Sequence, residues 1–251
     1  MITKSELFEI AKLKGISNAG YAEKDYLLEL LLFSLAKNTK QELVFKGETA
    51  LYKFYKLGRF SEDLDFSESE TTDIDLLIKK ILFDLSKFRV ETEVFKVRAP
   101  FDSVLITFRA RGPLYDGRPQ TFSNLGLDIN RKSAVELKPL RLRLASLYTE
   151  IPPFYMLVMQ EREILAEKIR TIMARNKARD LFDAFVLIEK GTEVDNNLIE
   201  KKLEYYSLEF SKKKLSEAID KKQNLWENEL KHLLNETPSF SNVKRKVLSV
   251  F

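Results

Sequence analysis

The chain has 251 residues, of which 44% are hydrophobic and 32% charged, with a formal net charge of +4. This is the composition of a globular protein long enough to bury a sizeable core. It has no cysteine and one histidine, His232, near its end, which excludes a disulfide framework and thiolate metal sites and makes zinc hydrolase chemistry and Ser-His-Asp catalysis unexpected. Chemistry must therefore come from carboxylates, lysines, hydroxyls and bound ions. The lack of cysteine fits a reducing, cytoplasmic compartment. The first 14 residues are charged throughout, unlike a signal peptide, and the most apolar stretch, residues 26–35, is too short to span a bilayer, so no membrane partner is expected.

In chain order, the pattern predicts a helix at 21–37, whose apolar run reads as buried, and a short apolar strand at 43–46. A helix at 49–55, a strand at 64–67 and an amphipathic helix at 73–87 follow. Three β-patterned runs come next, at 90–97, 104–111 and 125–130. In the middle one Val104, Ile106, Phe108 and Ala110 alternate with Leu105, Thr107, Arg109 and Arg111, as in a strand with one face buried. Gly112, Pro113, Gly117 and Pro119 mark the turn between the last two. From Glu161 onward the chain reads as almost all helix, with Pro152, Pro153 and Pro238 punctuating its ends. The expected architecture is an α/β (α+β) domain over residues 1–150 with a small mixed sheet, then a helical bundle over 151–251 that completes the active site.

The chemistry concentrates in FKGETALYKFYKLGRFSEDLDFS, residues 45–67. Gly47 ends a strand and opens a helix, where free backbone N–H groups and the helix dipole can receive phosphate oxygens, and Thr49 can add a hydroxyl. Asp63 and Asp65 stand two apart on an apolar strand and so project from one face. Carboxylates held that close repel unless a cation lies between them. Mg²⁺ prefers one or two carboxylates plus substrate phosphates, the arrangement of two-metal phosphoryl transfer.

This segment resembles the opening motif of the DNA polymerase β-like nucleotidyltransferase superfamily. The runs Lys-Gly-x-Thr-Ala-Leu and Gly-Arg-x-Ser-x-Asp-Leu-Asp-Phe are similar to the AbiEii family, the nucleotidyltransferase toxins of abortive-infection and type IV toxin–antitoxin systems. The resemblance implies an enzyme that uses Mg²⁺ (or Mn²⁺) to move NMP from an NTP to an acceptor hydroxyl. It implies an RNA acceptor, the 3′ end of tRNA, and a cognate antitoxin as regulator. It assigns Asp63 and Asp65 to the metal, with Asp128 in LGLDIN as the third carboxylate. Lys46, Gly47, Thr49, Arg59, Ser61 and Lys168 fall at nucleotide-binding positions. One departure stands out, because the family's Gly-Gly turn is Gly47-Glu48 here, with a carboxylate beside the phosphate position.

A second stretch, EREILAEKIRTIMARNKARDLFDAFVL at 161–187, is similar to the family's Glu-x-x-x-Ala-x-Lys and Arg-Asp-x-x-Asp motifs. On a helix Lys168 lies on the apolar stripe of Ile164, Leu165, Ile169, Ile172 and Met173. An inward lysine is costly unless an anion meets it, and a triphosphate would serve; a stem snorkelling past the core is the alternative. Asp180 and Asp183 share one face with Ala184 and Leu187. They would either position Lys168 or the acceptor, or pair structurally with Arg175 or Arg179. In the C-terminal part Lys212, Lys213 and Lys214, and Lys244, Arg245 and Lys246, form basic clusters that, with Arg109, Arg111, Arg141 and Arg143, could follow an RNA backbone. Most such charge runs are solvated faces of bundled helices. Transfer to a protein or small-molecule hydroxyl, and a catalytically dead nucleotide-binding module, are the competing functions.

Overall fold

The computed structural model describes residues 1–100, 102–234 and 236–251. The chain divides into two compact units. Unit 1 comprises residues 1–54, 60–135 and 139–158, and unit 2 comprises residues 55–59, 136–138 and 159–251. No described helix is long and apolar enough to cross a membrane.

Unit 1 opens with α1 (Lys4–Leu13), whose start is fixed by a capping box between Thr3 and Glu6, two orphan N–H groups satisfied reciprocally. Helix α2 (Ala19–Asn38) follows. Its residues 26–32 are all buried, including Glu29, so the helix is enclosed on nearly every side. Then come β1 (Leu43–Lys46), α3 (Gly47–Phe54), β2 (Asp63–Glu68) and α4 (Ile74–Lys87). The Asp73 side chain accepts from the Leu76 amide and caps α4. Strands β3 (Glu91–Arg98), β4 (Ser103–Arg111), β5 (Ser123–Asn130), β6 (Leu140–Leu144) and β7 (Phe154–Val158) complete the unit.

The strands form one mixed seven-stranded sheet in the order β3-β4-β5-β2-β1-β7-β6. Strands β2 and β5 pair in parallel, as do β1 and β7, and the other pairs are antiparallel. The alternation expected in β4 holds: Val104, Ile106, Phe108 and Ala110 are buried while Leu105, Thr107 and Arg109 are half-exposed. The buried face packs on α2 and α4. The opposite face carries the polar residues of β2, β4 and β5. The α/β expectation therefore stands, with helix α1 and two strands added. Sequence pattern passed over β6 and β7, because LRLRL is largely exposed and the Pro152-Pro153 pair beside β7 masks a strand of only five residues. β7 is nonetheless the strand that closes the inner edge of β1.

A polar ring sits inside this unit. Lys14 and Lys53 each contact both Asp25 and Glu29 at 2.5–2.6 Å, and the Tyr148 hydroxyl donates to Asp25 at 2.9 Å. Burial opposes ionisation of Asp25, but the two ammonium charges prevail and bring its carboxyl down to about 2. Since Lys53 lies on α3 and Asp25 and Glu29 on α2, the ring clamps α3 onto the core.

Unit 2 is helical: α5 (Glu161–Ala174), α6 (Ala178–Glu189), α7 (Asn196–Glu204), α8 (Lys212–Asp220), α9 (Trp226–Leu230) and α10 (Phe240–Leu248). Trp226 is buried and its indole N–H donates to the Pro238 carbonyl at 2.8 Å. Lys202 is buried against Glu163 at 2.7 Å. The buried Lys222 ammonium donates to the carbonyls of Ile172, Arg175 and Ala218, capping the end of α5 in place of a glycine motif.

Candidate active site

In unit 1 the register of three neighbouring strands assembles the acidic residues. Lys46 of β1 lies opposite Asp65 of β2, and Asp65 lies opposite Asp128 of β5. Cross-strand partners share a face, so Lys46, Asp65 and Asp128 form a row across strands ~4.8 Å apart. Asp63, two residues before Asp65, lies on that face opposite Gly126, two before Asp128. All three carboxylates thus stand on the polar side of the sheet. Asp63 is exposed, Asp65 and Asp128 are half-exposed, and Lys46 is buried.

Two glycines make room for them. Gly47 has φ +73°, the left-handed region that an L side chain resists. A Cβ there would also lie 2.4 Å from Asp65 Oδ2. A Cβ at Gly126 would lie 2.4 Å from Asp63 Oδ1. Asp65 therefore rests directly over the Gly47 turn, and Asp63 leans across onto β5. Gly126 escaped the sequence reading, although its spacing to Asp128 repeats that of Asp63 to Asp65, a signal that was available.

Asp128 has the environment most telling for chemistry. Among the described residues its Oδ1 is buried without a hydrogen-bond partner. Burial pushes its carboxyl above the ordinary aspartate value, Lys46 opposes the rise, and the charges of Asp63 and Asp102 add to it. An acid raised by burial beside like charges is a candidate ligand for a cation.

Thr49 and Ser61 are both buried. The Thr49 hydroxyl bonds the Ser61 hydroxyl at 2.7 Å and donates to the Asp63 carbonyl. These hydroxyls tie the first turn of α3 to the start of β2, fixing the Gly47 turn relative to Asp63. Glu48 stands half-buried in the first turn of α3.

Unit 2 gathers the remaining site residues. Arg59 is wholly buried and its Nε and Nη2 donate to Asp183 Oδ1 and Oδ2, both at 2.8 Å, a bidentate fork. The Lys168 ammonium lies 2.7 Å from Asp183 and 3.0 Å from Asp180. Arg175 donates to Asp180 at 2.7 and 2.9 Å. Burial alone would raise Asp180, but Lys168 and Arg175 outweigh it and hold that carboxyl far below the ordinary range. Both aspartates contact Lys168; Asp180 pairs with Arg175, as one of the open readings had it, while Asp183 pairs with Arg59 rather than with Arg175 or Arg179. Arg59, expected at the nucleotide, has the Asp183 carboxylate as the partner of Nε and Nη2. Nothing in sequence spacing pairs residues 124 positions apart.

A family model described as the nucleotidyl transferase AbiEii toxin of type IV TA systems matches residues 30–246. Comparison with curated proteins finds no match. Among solved structures, MenT4, a nucleotidyltransferase toxin from Mycobacterium tuberculosis H37Rv, is similar with a TM-score of 0.68 at 20% identity, covering 100% of this chain and 89% of that one. A putative nucleotidyltransferase from H. pylori matches with a TM-score of 0.61 at 21% identity, covering 90% of this chain and 91% of its own. JHP933 from Helicobacter pylori matches with a TM-score of 0.59 at 21% identity, covering 92% and 89%. At such identities the structures establish the shared fold, and the family model, spanning most of the chain, establishes the lineage. The chain belongs to the AbiEii family of type IV nucleotidyltransferase toxins, and it is a nucleotidyltransferase.

Proposed function

We propose that the chain moves NMP from an NTP to a hydroxyl at the 3′ end of an RNA, with tRNA as the acceptor that the family resemblance implies, and that Mg²⁺ or Mn²⁺ held by Asp63, Asp65 and Asp128 is required. The observation that carries this reading is the row Lys46–Asp65–Asp128 beside Gly47, with the buried Oδ1 of Asp128 unpartnered among the described residues.

The residues fit a hard divalent ion. The donors are all carboxylate oxygens, as such ions prefer, and two glycines keep the space in front of Asp63 and Asp65 clear of side chains. When bound, the metal supplies charge neutralisation and activation of the attacking oxygen. The protein's own contribution is positioning. The N–H groups opening α3 at Gly47 face phosphate oxygens with the positive end of the helix dipole. Lys46 adds a fixed positive charge in the same row. Thr49 and Ser61 hold the turn in place through Asp63. For Lys168 we retain charge neutralisation of the triphosphate, with Asp180 and Asp183 as positioning residues, a role that their contacts at 2.7–3.0 Å support. The acceptor oxygen bonds to the α-phosphorus as the α–β phosphoanhydride breaks, pyrophosphate leaves and the hydroxyl proton is released. Catalysis then rests on orientation and electrostatics.

Incubation with α-labelled NTPs, Mg²⁺, and either total RNA or total cell protein tests the reading. Label in RNA is the expected result. Label in protein or a small molecule alone would replace the acceptor. No label anywhere, with Mg²⁺-dependent stabilisation by NTP retained, would leave a nucleotide-binding module; no label and no stabilisation would overturn the nucleotide reading itself. As a toxin, the chain should arrest growth on expression, and co-expression of its cognate antitoxin should relieve the arrest.

A further inference from the structure

With the shorter β6, strand β3 is one of the two edge strands of the sheet. It lies at the end of the strand order and pairs with β4 alone among the described residues. Seven of its eight residues are exposed. Val94, Phe95 and Val97 are 36, 50 and 47% exposed, an apolar content unusual for an unprotected edge. Such an edge is a template for another strand unless charge or distortion blunts it.

The sequence of this edge, Glu91-Thr92-Glu93-Val94-Phe95-Lys96-Val97-Arg98, is acidic in its first half and basic in its second. Run antiparallel against itself, it sets Glu91 opposite Arg98, Thr92 opposite Val97 and Glu93 opposite Lys96. In a regular strand this register would be impossible with two-fold symmetry, because residues 91 and 98 would point to opposite faces. The structure removes that obstacle. The register to β4 shifts between Val94 and Lys96, so that Phe95 is an extra residue, and a bulge of one residue inverts the alternation beyond it. Glu91 and Glu93 lie opposite Arg111 and Arg109, while Lys96 and Arg98 lie opposite Thr107 and Leu105. All four partners belong to one alternating set on β4, so all four charges of β3 share one face. Thr92, Val94 and Val97, opposite Ala110, Phe108 and Ile106, share the other.

We infer that β3 pairs antiparallel with β3 of a second copy of this chain, its bulge at the dyad, with Glu91 and Glu93 of each copy facing Arg98 and Lys96 of the other. The two sheets would become one. Within one copy Glu91 already pairs with Arg111, and the Arg109 guanidinium stacks 3.3 Å from the Phe95 ring centre. The pairing would therefore place Arg98 on the other side of a carboxylate that is already oriented. Four exposed ion pairs give register more than strength, so the association should weaken as salt rises.

The test uses three full-length proteins and mass in solution by light scattering. Wild type is expected to be a dimer whose dissociation constant rises with salt. The double variant Lys96→Glu/Arg98→Glu makes the edge wholly acidic, and Glu91→Lys/Glu93→Lys makes it wholly basic. Each should self-associate about a hundredfold or more weakly, and a one-to-one mixture should restore the dimer as a heterodimer. The substitutions are on exposed side chains, and unchanged circular dichroism and melting temperature check that each variant folds. A wild type that stays monomeric at the highest concentration reached, a dimer indifferent to both double variants, or a mixture that fails to reassociate would each overturn the proposal.

Discussion

The two groups of aspartates in this enzyme differ in what stands opposite them. In unit 2, Asp180 and Asp183 are buried and matched: one by Lys168 and Arg175, the other by Lys168 and the Arg59 fork. In unit 1, Asp63, Asp65 and Asp128 share a sheet face with Lys46, and one buried oxygen of Asp128 has no partner among the described residues. A carboxylate satisfied inside the protein is scaffold that holds a lysine in place. A set of carboxylates gathered on one sheet face, one of them raised by burial, is the group to which the proposed function gives the metal. Substitutions should therefore split cleanly between the two groups.

The largest separation is expected in activity. Asp63→Ala or Asp65→Ala should reduce label transfer by orders of magnitude, while melting temperature stays level or rises. A fold-preserving variant with near wild-type transfer would show that the chemistry lies elsewhere. Next in size is stability. Asp183→Ala leaves Arg59 and Lys168 buried without that carboxylate, which should cost about 3–5 kcal/mol in urea unfolding. A cost as small as that of Asp65→Ala would erase the distinction between the groups. Gly47→Ala is expected to affect both properties. A left-handed alanine costs about 1–2 kcal/mol, and its Cβ would displace the Asp65 carboxylate from 2.4 Å, so transfer should fall alongside a modest loss of stability.

The smallest effects come from titration and sharpen the contrast by sign. Asp180 has its folded value lowered, so its stabilisation is present above the ordinary aspartate value of 3.8 and is lost as pH falls below it. Asp25 behaves likewise over roughly pH 4 to 2. Asp128 is raised, so its ionised form weakens the metal-free fold at neutral pH. Asp128→Asn should then stabilise the metal-free protein by about 1 kcal/mol, whereas Asp180→Asn should destabilise it. Thermal melts of both variants in chelator decide the point.

The elements between residues 19 and 130 were legible because each carries its period in its own residues, with buried alternation in β4 and an enclosed apolar run in α2, whereas the short charged helix α1 was passed over. The helical C-terminal part was legible for the same reason. Strands β6 and β7 were not, since a short exposed edge and a proline-flanked strand acquire their status from the neighbours that pair with them. Among site residues, Asp63 and Asp65 could be read as a pair because i and i+2 share a face in any strand. Lys168 could be read as inward because helical period places it on an apolar stripe.

Sequence by itself settled the absence of cysteine, the presence of a single histidine, and the i, i+2 carboxylates after a glycine turn. Tertiary structure decided the rest. It set Asp128 beside Asp65 through the parallel register of β2 with β5, gave Gly126 its purpose in front of Asp63, and paired Arg59 with Asp183. Local period reports only which way a side chain points along its own element. What it meets depends on chain brought back from far away, and the energy of a buried charge is set by that meeting.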